Sequence, residues 1–541
     1  MSENIIRILL LNQFIDLTDW HTLRQVSRQF KAAIEFLQRR WMRLAQNVLQ
    51  SPACPDVVTV KVLQQNAHLL HGHSNWTILA ACAGIRIPTH PQGPRTSCQM
   101  LRCHRNTTCG SDFTIAQCFK VLLNLPSTHP IHKIAIQRLQ HRSVRRHLPC
   151  FIPSLLWLST TCVEVLEEVL VPIIAQDPSM CTVAYFYARA HANLREIKAV
   201  IYRSTITKIK HELTATELFL GALIRLLDVE YTSVKRANRF DVHVLDSKPY
   251  LPGSARYRVV GIDLKSFQQL QSYSRPWIFT CTLEDETTGT VEERVVMIKS
   301  EATWNDAVVM MVQTYLQQLD PEVVMQTYLV TPLSDNMGLV LFVNDCESLA
   351  EIQQEGSIMS YLLVKNQDAQ VVDVQRTFMK SVAFNCILSL LLGFADRHLN
   401  NMLISNDRLL HIDFSYLWGQ QPTISTHRLS MPSQQIRITS GMRDAFRPHY
   451  DEFLQLCTHI NRMVRRVAPD LYYICWSLNA VNVCTNEALR THFNCYIMPF
   501  TVNSYTEADT AIINVLANDT ISSRSSSISG LVKTVLQYLH R

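Results

Sequence analysis

The most informative stretch of the sequence is GFADRHLNNMLISNDRLLHIDFSYLWG, residues 393–419. Its polar residues fall at two junctions around a short apolar strand: Asp396, His398 and Asn401 come before the strand, and Asp413 follows it. Mg²⁺ prefers hard oxygen ligands, and proteins usually supply one or two of them beside a phosphate. Phosphoryl transfer also needs a polar group that steers the incoming hydroxyl. Isolated Asp and Asn residues at strand–loop junctions are typical of that chemistry.

The order of these residues resembles the phosphatidylinositol 3-/4-kinase superfamily, whose signature is G-x-x-D-R-H-x-x-N, a strand, and H-I-D-F-G. Ordinary protein kinases use the reverse order, His-Arg-Asp. The resemblance implies that Asp396, Arg397 and His398 form the catalytic loop, in which Asp396 and His398 orient and deprotonate the substrate hydroxyl. Which of the two is the base stays open. It also implies that Asn401 and Asp413 bind Mg²⁺ or Mn²⁺, with ATP as co-substrate.

One position departs from the family pattern. The metal motif normally ends in Gly, and here the residue is Ser415. A serine held at positive φ costs roughly 1 kcal/mol or more relative to glycine. We therefore expect a strained loop at Ser415, and we expect that a change to Gly preserves or raises turnover.

The segment upstream agrees with the resemblance. QSYSRPWIFTC, residues 271–281, resembles the family's S-x-x-R-P phosphate loop, which implies that Ser272 and Ser274 contact ATP. Lys299 ends an apolar strand, so its ammonium is expected to face the ATP phosphates. Asp306 lies seven residues after Lys299, where the family has an acid eight residues on, and we expect Asp306 to pair with Lys299.

Residues 327–352, TYLVTPLSDNMGLVLFVNDCESLAEI, resemble the family's adenine-binding stretch. The resemblance implies that Val343 offers its main-chain amide to adenine and that Tyr328 lines the same site. Leu341 stands where the family usually has Glu, and we expect little effect because the main chain holds adenine.

The fold class that follows is α+β: a two-lobed kinase fold, with a small β-rich N-lobe and a large helical C-lobe, preceded by all-α regions. The predicted domains are an F-box-like helical segment (1–50), a helical region of unclear role with an irregular Cys/His-rich connection (51–131), an accessory helical domain like those preceding phosphoinositide kinase domains (132–227), a linker (228–256) and the catalytic domain (257–541).

Composition excludes wholesale disorder, since 47% of the 541 residues are apolar. The 16 cysteines lack framework spacing and the N-terminus does not look like a signal peptide, so we expect reduced thiols and a cytoplasmic protein. The apolar run 382–395 is shorter than the roughly 20 residues of a membrane span, which predicts a buried helix. Residues 530–541 form an amphipathic pattern with a basic side, which predicts peripheral membrane contact.

The N-terminal third is basic, with 18 Lys and Arg against six Asp and Glu in residues 1–150. We interpret this as a solvated surface and expect no nucleic acid partner. FIDLTDWHTLRQVSRQF, residues 14–30, resembles an F-box, which implies a ubiquitin-ligase adaptor as partner. In residues 98–109, gaps of four and five residues between Cys and His favour reduced thiols over a zinc site.

The substrate is inferred from the predicted activation loop, residues 415–439, which carries no run of lysines. Enzymes that act on already phosphorylated inositides hold the extra phosphates with basic residues. The sequence therefore favours plain phosphatidylinositol in a membrane surface, phosphorylated at the 3- or 4-hydroxyl. Two alternatives stay open: a protein serine/threonine kinase of the related family, and a catalytically weak kinase fold that recruits partners for a ubiquitin ligase.

Overall fold

The computed structural model describes residues 113–128, 130–175, 177–227, 240–271, 274–418, 420, 438–493, 497 and 520–521. Several predicted features lie outside these residues and stay predictions. They are the F-box-like segment, the Cys/His-rich connection, Ser272, most of the activation loop and the C-terminal amphipathic segment.

The chain divides into two units between His141 and Arg142. The described part of the first unit contains helices α1 (Ile115–Asn124) and α2 (Pro130–Gln140). Thr114 begins α1 with a capping box: its hydroxyl accepts from the Gln117 amide, and the Gln117 side chain accepts from the Thr114 amide. This pair satisfies two main-chain donors that a helix start otherwise leaves without a partner.

The second unit opens with helices, as the spacing of apolar residues in this region predicts. They are α3 (Arg142–Arg145), a 3₁₀ turn (Leu148–Phe151), α4 (Ile152–Leu158), a π-helical segment (Val165–Leu170) that continues into α5 (Val171–Ile174), α6 (Pro178–Arg189), α7 (Arg195–Ser204) and α8 (Thr207–Leu226). Pro178 occupies the first turn of α6, where proline is tolerated, and Asp177 caps that helix.

A sheet-rich region follows. Its strands are β1 (Tyr257–Gln269), β2 (Trp277–Asp285), β3 (Val291–Lys299), β4 (Val330–Ser334) and β5 (Met337–Leu341), with α9 (Trp304–Leu319) between β3 and β4. In the described residues these strands form one antiparallel sheet of order β1-β2-β3-β5-β4. Lys299 pairs with Gly338, where a β-carbon would meet the Thr303 side chain at 1.9 Å. Only glycine fits this close approach at the end of β3.

The remaining described elements are mainly helical. They are β6 (Cys346–Ser348), α10 (Leu349–Glu355), α11 (Ile358–Lys365), α12 (Val371–Leu392), β7 (Met402–Ser405), β8 (Arg408–His411), β9 (Ile438–Thr439), α13 (Ser440–Ala445), α14 (Tyr450–Arg466), α15 (Ala468–Cys475), α16 (Ser477–Ala480), α17 (Asn486–His492) and β10 (Thr520–Ile521). β6, β7 and β8 form an antiparallel sheet with β8 at its edge, and β9 pairs with β10.

Helix α12 contains most of the apolar run that the sequence assigns to a buried helix, and its second half is buried. Gly393 ends it at φ +64°, donating its amide to the Ser389 carbonyl, the left-handed helix end that glycine adopts most easily. Within the described residues, no helix combines the length and apolarity that a membrane crossing requires. A sheet region joined to a helical region in this order is consistent with a kinase fold.

Candidate active site

The predicted phosphate-binding lysine lies in an acidic environment. Lys299, at the end of β3, forms an ion pair with Glu301 at 3.1 Å, and its side chain is 13% exposed. Burial alone lowers the pKa of Lys299, but the carboxylates of Asp306, Asp413 and Glu301 outweigh it and raise the pKa. Lys299 is therefore a permanent cation, influenced by two acids that follow it closely in sequence and by Asp413 from a distant part of the chain.

Asp306 is buried in the first turn of α9, where an acid suits the helix dipole. Its Oδ1 accepts a hydrogen bond from the Tyr328 hydroxyl at 3.4 Å, and its carboxylate accepts one from the main-chain amide of Phe414. Burial raises its pKa, and the Lys299 charge opposes that shift. Asp306 thus links α9 to the segment that follows β8, while the direct ion pair of Lys299 is with Glu301.

Arg397 fastens the two polar junctions together. Its Nε donates to the Ala395 carbonyl at 3.0 Å, its Nη1 to the Ile412 carbonyl at 2.7 Å, and its Nη2 to the Asp413 carbonyl. The guanidinium is buried and lies over the Phe414 ring. These bonds reach the main chain, so in this structure Arg397 positions the loop that carries Asp413.

Asn401 is hydrogen-bonded to Ile412, the residue before Asp413. The Ile412 amide donates to the Asn401 carbonyl at 3.1 Å, and the Asn401 side-chain nitrogen donates to the Asp396 carbonyl at 3.0 Å. That second bond uses the amide nitrogen, so the amide oxygen is the atom left to face a cation. An amide oxygen and a carboxylate are ligands that Mg²⁺ prefers, so this pair fits the predicted metal site.

Two of these residues adopt left-handed backbone conformations. Asp396 has φ +55° and Asp413 has φ +60°, conformations that non-glycine residues seldom adopt. Such strain persists where the surroundings enforce it, and it concentrates at functional sites. Among the described residues with positive φ, Ser415 is absent. The expectation of a backbone penalty at Ser415 is therefore wrong: the penalty falls on Asp413, and the Ser415 hydroxyl bonds to the Asp413 carboxylate.

His398 and His411 are both buried. The His398 carbonyl accepts from the Asn401 amide at 2.9 Å, which closes the turn between Asp396 and Asn401. Burial and the Arg397 charge hold the pKa of His411 well below its usual value, so His411 is neutral. His411 therefore supports the strand, whereas His398 sits within the predicted catalytic loop.

A polar stripe on α12 supports this loop, and sequence reasoning missed it. The Leu409 amide donates to the Ser381 hydroxyl at 2.9 Å, the Asn385 side chain donates to the Leu409 carbonyl at 2.9 Å, and Ser389 lies 3.2 Å from His411 Nδ1. These contacts satisfy the open edge of β8, the strand that leads to Asp413. Three polar residues spaced by four in the otherwise apolar second half of the helix were the available signal.

The predicted adenine-binding residues follow β5. The Phe342 amide donates to the Val295 carbonyl at 3.0 Å, and the Phe342 carbonyl accepts from Arg294 at 2.7 Å. The Val343 carbonyl accepts from the Cys346 thiol at 3.1 Å. The main chain around Val343 is therefore fixed against β3.

Tyr328, before β4, lies beside Asp306 as described. Burial, followed by the charges of Asp306 and Asp413, raises the pKa of Tyr328 well above its usual value, so it stays a neutral donor. Ser274 lies in the turn before β2. The residue after Ser274, Arg275, has φ +42°.

Comparison with known proteins adds an independent finding. Residues 306–472 match the family model described as phosphatidylinositol 3- and 4-kinase, a range that includes Asp306, Tyr328, Asp396 and Asp413. Phosphatidylinositol 3-kinase VPS34 of Saccharomyces cerevisiae is 26% identical over 227 residues, 39% of this chain and 24% of that protein. For phosphatidylinositol 3-kinase pik3 of Schizosaccharomyces pombe the identity is 25% over 252 residues, 43% of this chain and 30% of that protein.

Phosphatidylinositol 4-kinase stt4 of Schizosaccharomyces pombe is 24% identical over 284 residues, 45% of this chain and 15% of that protein. The chain therefore spans less than a third of the length of these relatives. The matches support a phosphatidylinositol 3-/4-kinase catalytic domain within this chain.

Proposed function

We propose that this chain is an ATP-dependent lipid kinase that phosphorylates the 3- or 4-hydroxyl of phosphatidylinositol, with the two lobes of a kinase fold meeting at the site described above. One observation carries the proposal: the Lys299 ammonium shares a single electrostatic cluster with Asp306 and Asp413. A cation for the phosphates and a carboxylate for the metal, brought together from separate parts of the chain, is the arrangement that phosphoryl transfer needs.

The nucleotide is held by groups from the sheet region. The main chain at Val343 binds adenine beside Tyr328, Lys299 neutralises phosphate charge, and Ser272 and Ser274 contact the phosphates. Asn401 and Asp413 hold Mg²⁺ or Mn²⁺, which supplies further positive charge to the phosphates. Arg397 keeps Asp413 in place through its carbonyl.

The transfer step joins the inositol hydroxyl oxygen to the γ-phosphorus, and the bond between that phosphorus and the bridging oxygen breaks to release ADP. The hydroxyl proton passes to Asp396 or to His398. Positioning and charge stabilisation, rather than covalent chemistry, supply most of the rate enhancement in such reactions.

Two features support a lipid substrate. The relatives reported above carry names that specify phosphatidylinositol 3- and 4-kinases, and residues 415–439 have no lysine run that would hold an extra inositol phosphate. The protein then works in the cytoplasm at a membrane surface, with plain phosphatidylinositol as its substrate.

Transfer of radiolabelled phosphate to vesicles tests this proposal. Vesicles with phosphatidylinositol, vesicles with phosphatidylinositol 4-phosphate and a basic protein substrate are compared under the same conditions. We expect labelling of phosphatidylinositol above both other arms, and chromatography of the product identifies the hydroxyl. Labelling of the protein alone would support the protein kinase alternative, and labelling of none would support a recruiting role.

The N-terminal segment extends the proposal to a partner. If residues 14–30 act as an F-box, the chain binds a ubiquitin-ligase adaptor through the apolar side chains of Leu23, Val26 and Phe30. Truncating a central anchor of such an interface costs about 2 kcal/mol or more. A pull-down with the full chain and with Val26→Ala tests this, and failure of the full chain to capture the adaptor would contradict it.

A further inference from the structure

The residue that departs from the family pattern contacts the predicted metal ligand. Ser415 Oγ donates a hydrogen bond to Asp413 Oδ1 at 2.6 Å. That length falls in the range of charge-assisted O–H···O⁻ bonds, which are about twice as strong as neutral ones. Ser415 itself is exposed, so its hydroxyl is held there by the carboxylate and not by surrounding packing.

Asp413 is thus hydrogen-bonded through both its main chain and its side chain. Its main-chain carbonyl accepts from the Arg397 guanidinium, and its carboxylate accepts from Ser415. Between these two bonds its backbone takes the left-handed conformation, at φ +60°. A glycine at 415 could keep the backbone bond but would have no hydroxyl for the carboxylate, so this second contact depends on the serine.

We propose that Ser415 is a positioning residue for the metal site: its hydroxyl fixes the Asp413 carboxylate in the orientation that receives the divalent cation. The inference rests on the proposed function. A carboxylate has about four lone-pair sites on two oxygens, so one bond from Ser415 leaves acceptor capacity for a cation. Groups that hold a metal ligand in place commonly change metal affinity or activity by about 10–100-fold when they are removed.

The hydroxyl has two other conceivable effects, and each predicts something different. If it only stabilises the turn, its removal lowers the unfolding temperature without changing metal dependence. If it competes with the cation for the carboxylate, its removal strengthens metal binding. Positioning predicts weaker metal binding with little change in the stability of the metal-free protein, because the side chain is exposed.

The test measures how binding of a non-hydrolysable ATP analogue by the full chain depends on Mg²⁺ concentration, using calorimetry. We compare wild type with Ser415→Ala, Ser415→Gly and Ser415→Thr, and with Ser247→Ala as a control at an exposed serine. We expect Ala and Gly to raise the half-maximal Mg²⁺ concentration about 10-fold. Thr, which keeps the hydroxyl, and the Ser247 control should match wild type, and thermal unfolding in EDTA should be the same for all.

Asp413→Asn separates failure of this inference from failure of the proposed site. If Asp413→Asn raises the half-maximal Mg²⁺ concentration and neither Ser415→Ala nor Ser415→Gly does, the positioning role is overturned and the metal site stands. The positioning role is also overturned if the two Ser415 variants lower the half-maximal Mg²⁺ concentration, or if they change only the unfolding temperature. If Asp413→Asn leaves the half-maximal Mg²⁺ concentration unchanged, both the metal-site assignment and the role of Ser415 are wrong.

Discussion

Arg397 donates from Nη1 to the carbonyl oxygen of Ile412 at 2.7 Å, so a side chain from the first polar junction holds the main chain of the second. Two further bonds of the guanidinium reach the carbonyls of Ala395 and Asp413. Arg397, which the sequence places in the catalytic loop, therefore also holds the main chain around Asp413.

Replacing Arg397 tests whether its hydrogen bonds hold the main chain around Asp413. Lysine keeps the charge but lacks the planar fork that reaches several carbonyls at once. We expect Arg397→Lys to reduce phosphate transfer about 10–100-fold and to lower stability by about 1–3 kcal/mol through carbonyls left without a donor. Arg408→Lys, at a half-exposed arginine 3.7 Å from Asp407, is the matched control. Wild-type transfer by Arg397→Lys would contradict the role.

The polar stripe on α12 gives a second prediction. Asn385→Leu removes the donor to the Leu409 carbonyl and leaves that buried oxygen without its side-chain partner. We expect a loss of about 1–3 kcal/mol of stability in chemical denaturation. Asn336→Leu, in an exposed turn, should change stability by less than about 0.5 kcal/mol. Equal effects of the two variants would show that the contact does not stabilise β8.

Stability should fall in mild acid. Burial is the main cause that lowers the pKa of His147, His411 and His492. A histidine with a lowered pKa in the folded protein takes up its proton more readily when unfolded. Its stabilisation is complete above about pH 6.5 and declines below that, by up to about 1.4 kcal/mol per pH unit for each such group.

The variant His492→Gln tests whether His492 contributes to the loss of stability at low pH. Glutamine can still donate to the Leu391 carbonyl, which His492 contacts at 2.7 Å, but it does not titrate. We expect a shallower loss of stability between pH 6.5 and 5 than in wild type, measured by denaturation at each pH. His243→Gln should not flatten the slope, because the hydrogen bond with Asp246 raises the pKa of His243. An unchanged slope in His492→Gln would refute the assignment.

The strand before Lys299 could be predicted from residue order, whereas the site residues were inferred from the family resemblance. The predicted apolar strand before Lys299 lies within β3, and the Asp306, Asp413 and Lys299 charges act on one another as a phosphate and metal site requires. The strand was predictable because its length and its apolar pattern are local properties of the sequence, whereas the approach of Asp413 to Lys299 is not local.

Other features depend on distances across the fold. The ion pair of Lys299 with Glu301, not Asp306, depends on the path of the turn before α9. The positive φ falls on Asp413 and not on Ser415, because Arg397 and Phe414 fix the loop from either side. The bond from Asn385 to Leu409 joins residues 24 apart, and no local pattern specifies such a pair.

Lys299→Met tests the phosphate-binding cation. Methionine keeps most of the buried stem but removes the charge, so we expect at least about a 100-fold loss of phosphate transfer and weaker ATP binding in calorimetry. The control is Lys365→Met, which removes a comparable ion pair with Glu347 at 3.2 Å. Near-normal ATP binding by Lys299→Met would mean that another cation serves the phosphates.

The most direct measurement of the central claim is the steady-state rate of radiolabel transfer from ATP to phosphatidylinositol vesicles by wild type and Asp413→Asn. Asn removes the charge of the predicted metal ligand while keeping its size, and Asp335→Asn, at an exposed acid, is the matched control. We expect clear transfer by wild type and by the control, and at least about a 100-fold lower rate for Asp413→Asn. Transfer by Asp413→Asn at the wild-type rate, or none by wild type, would contradict it.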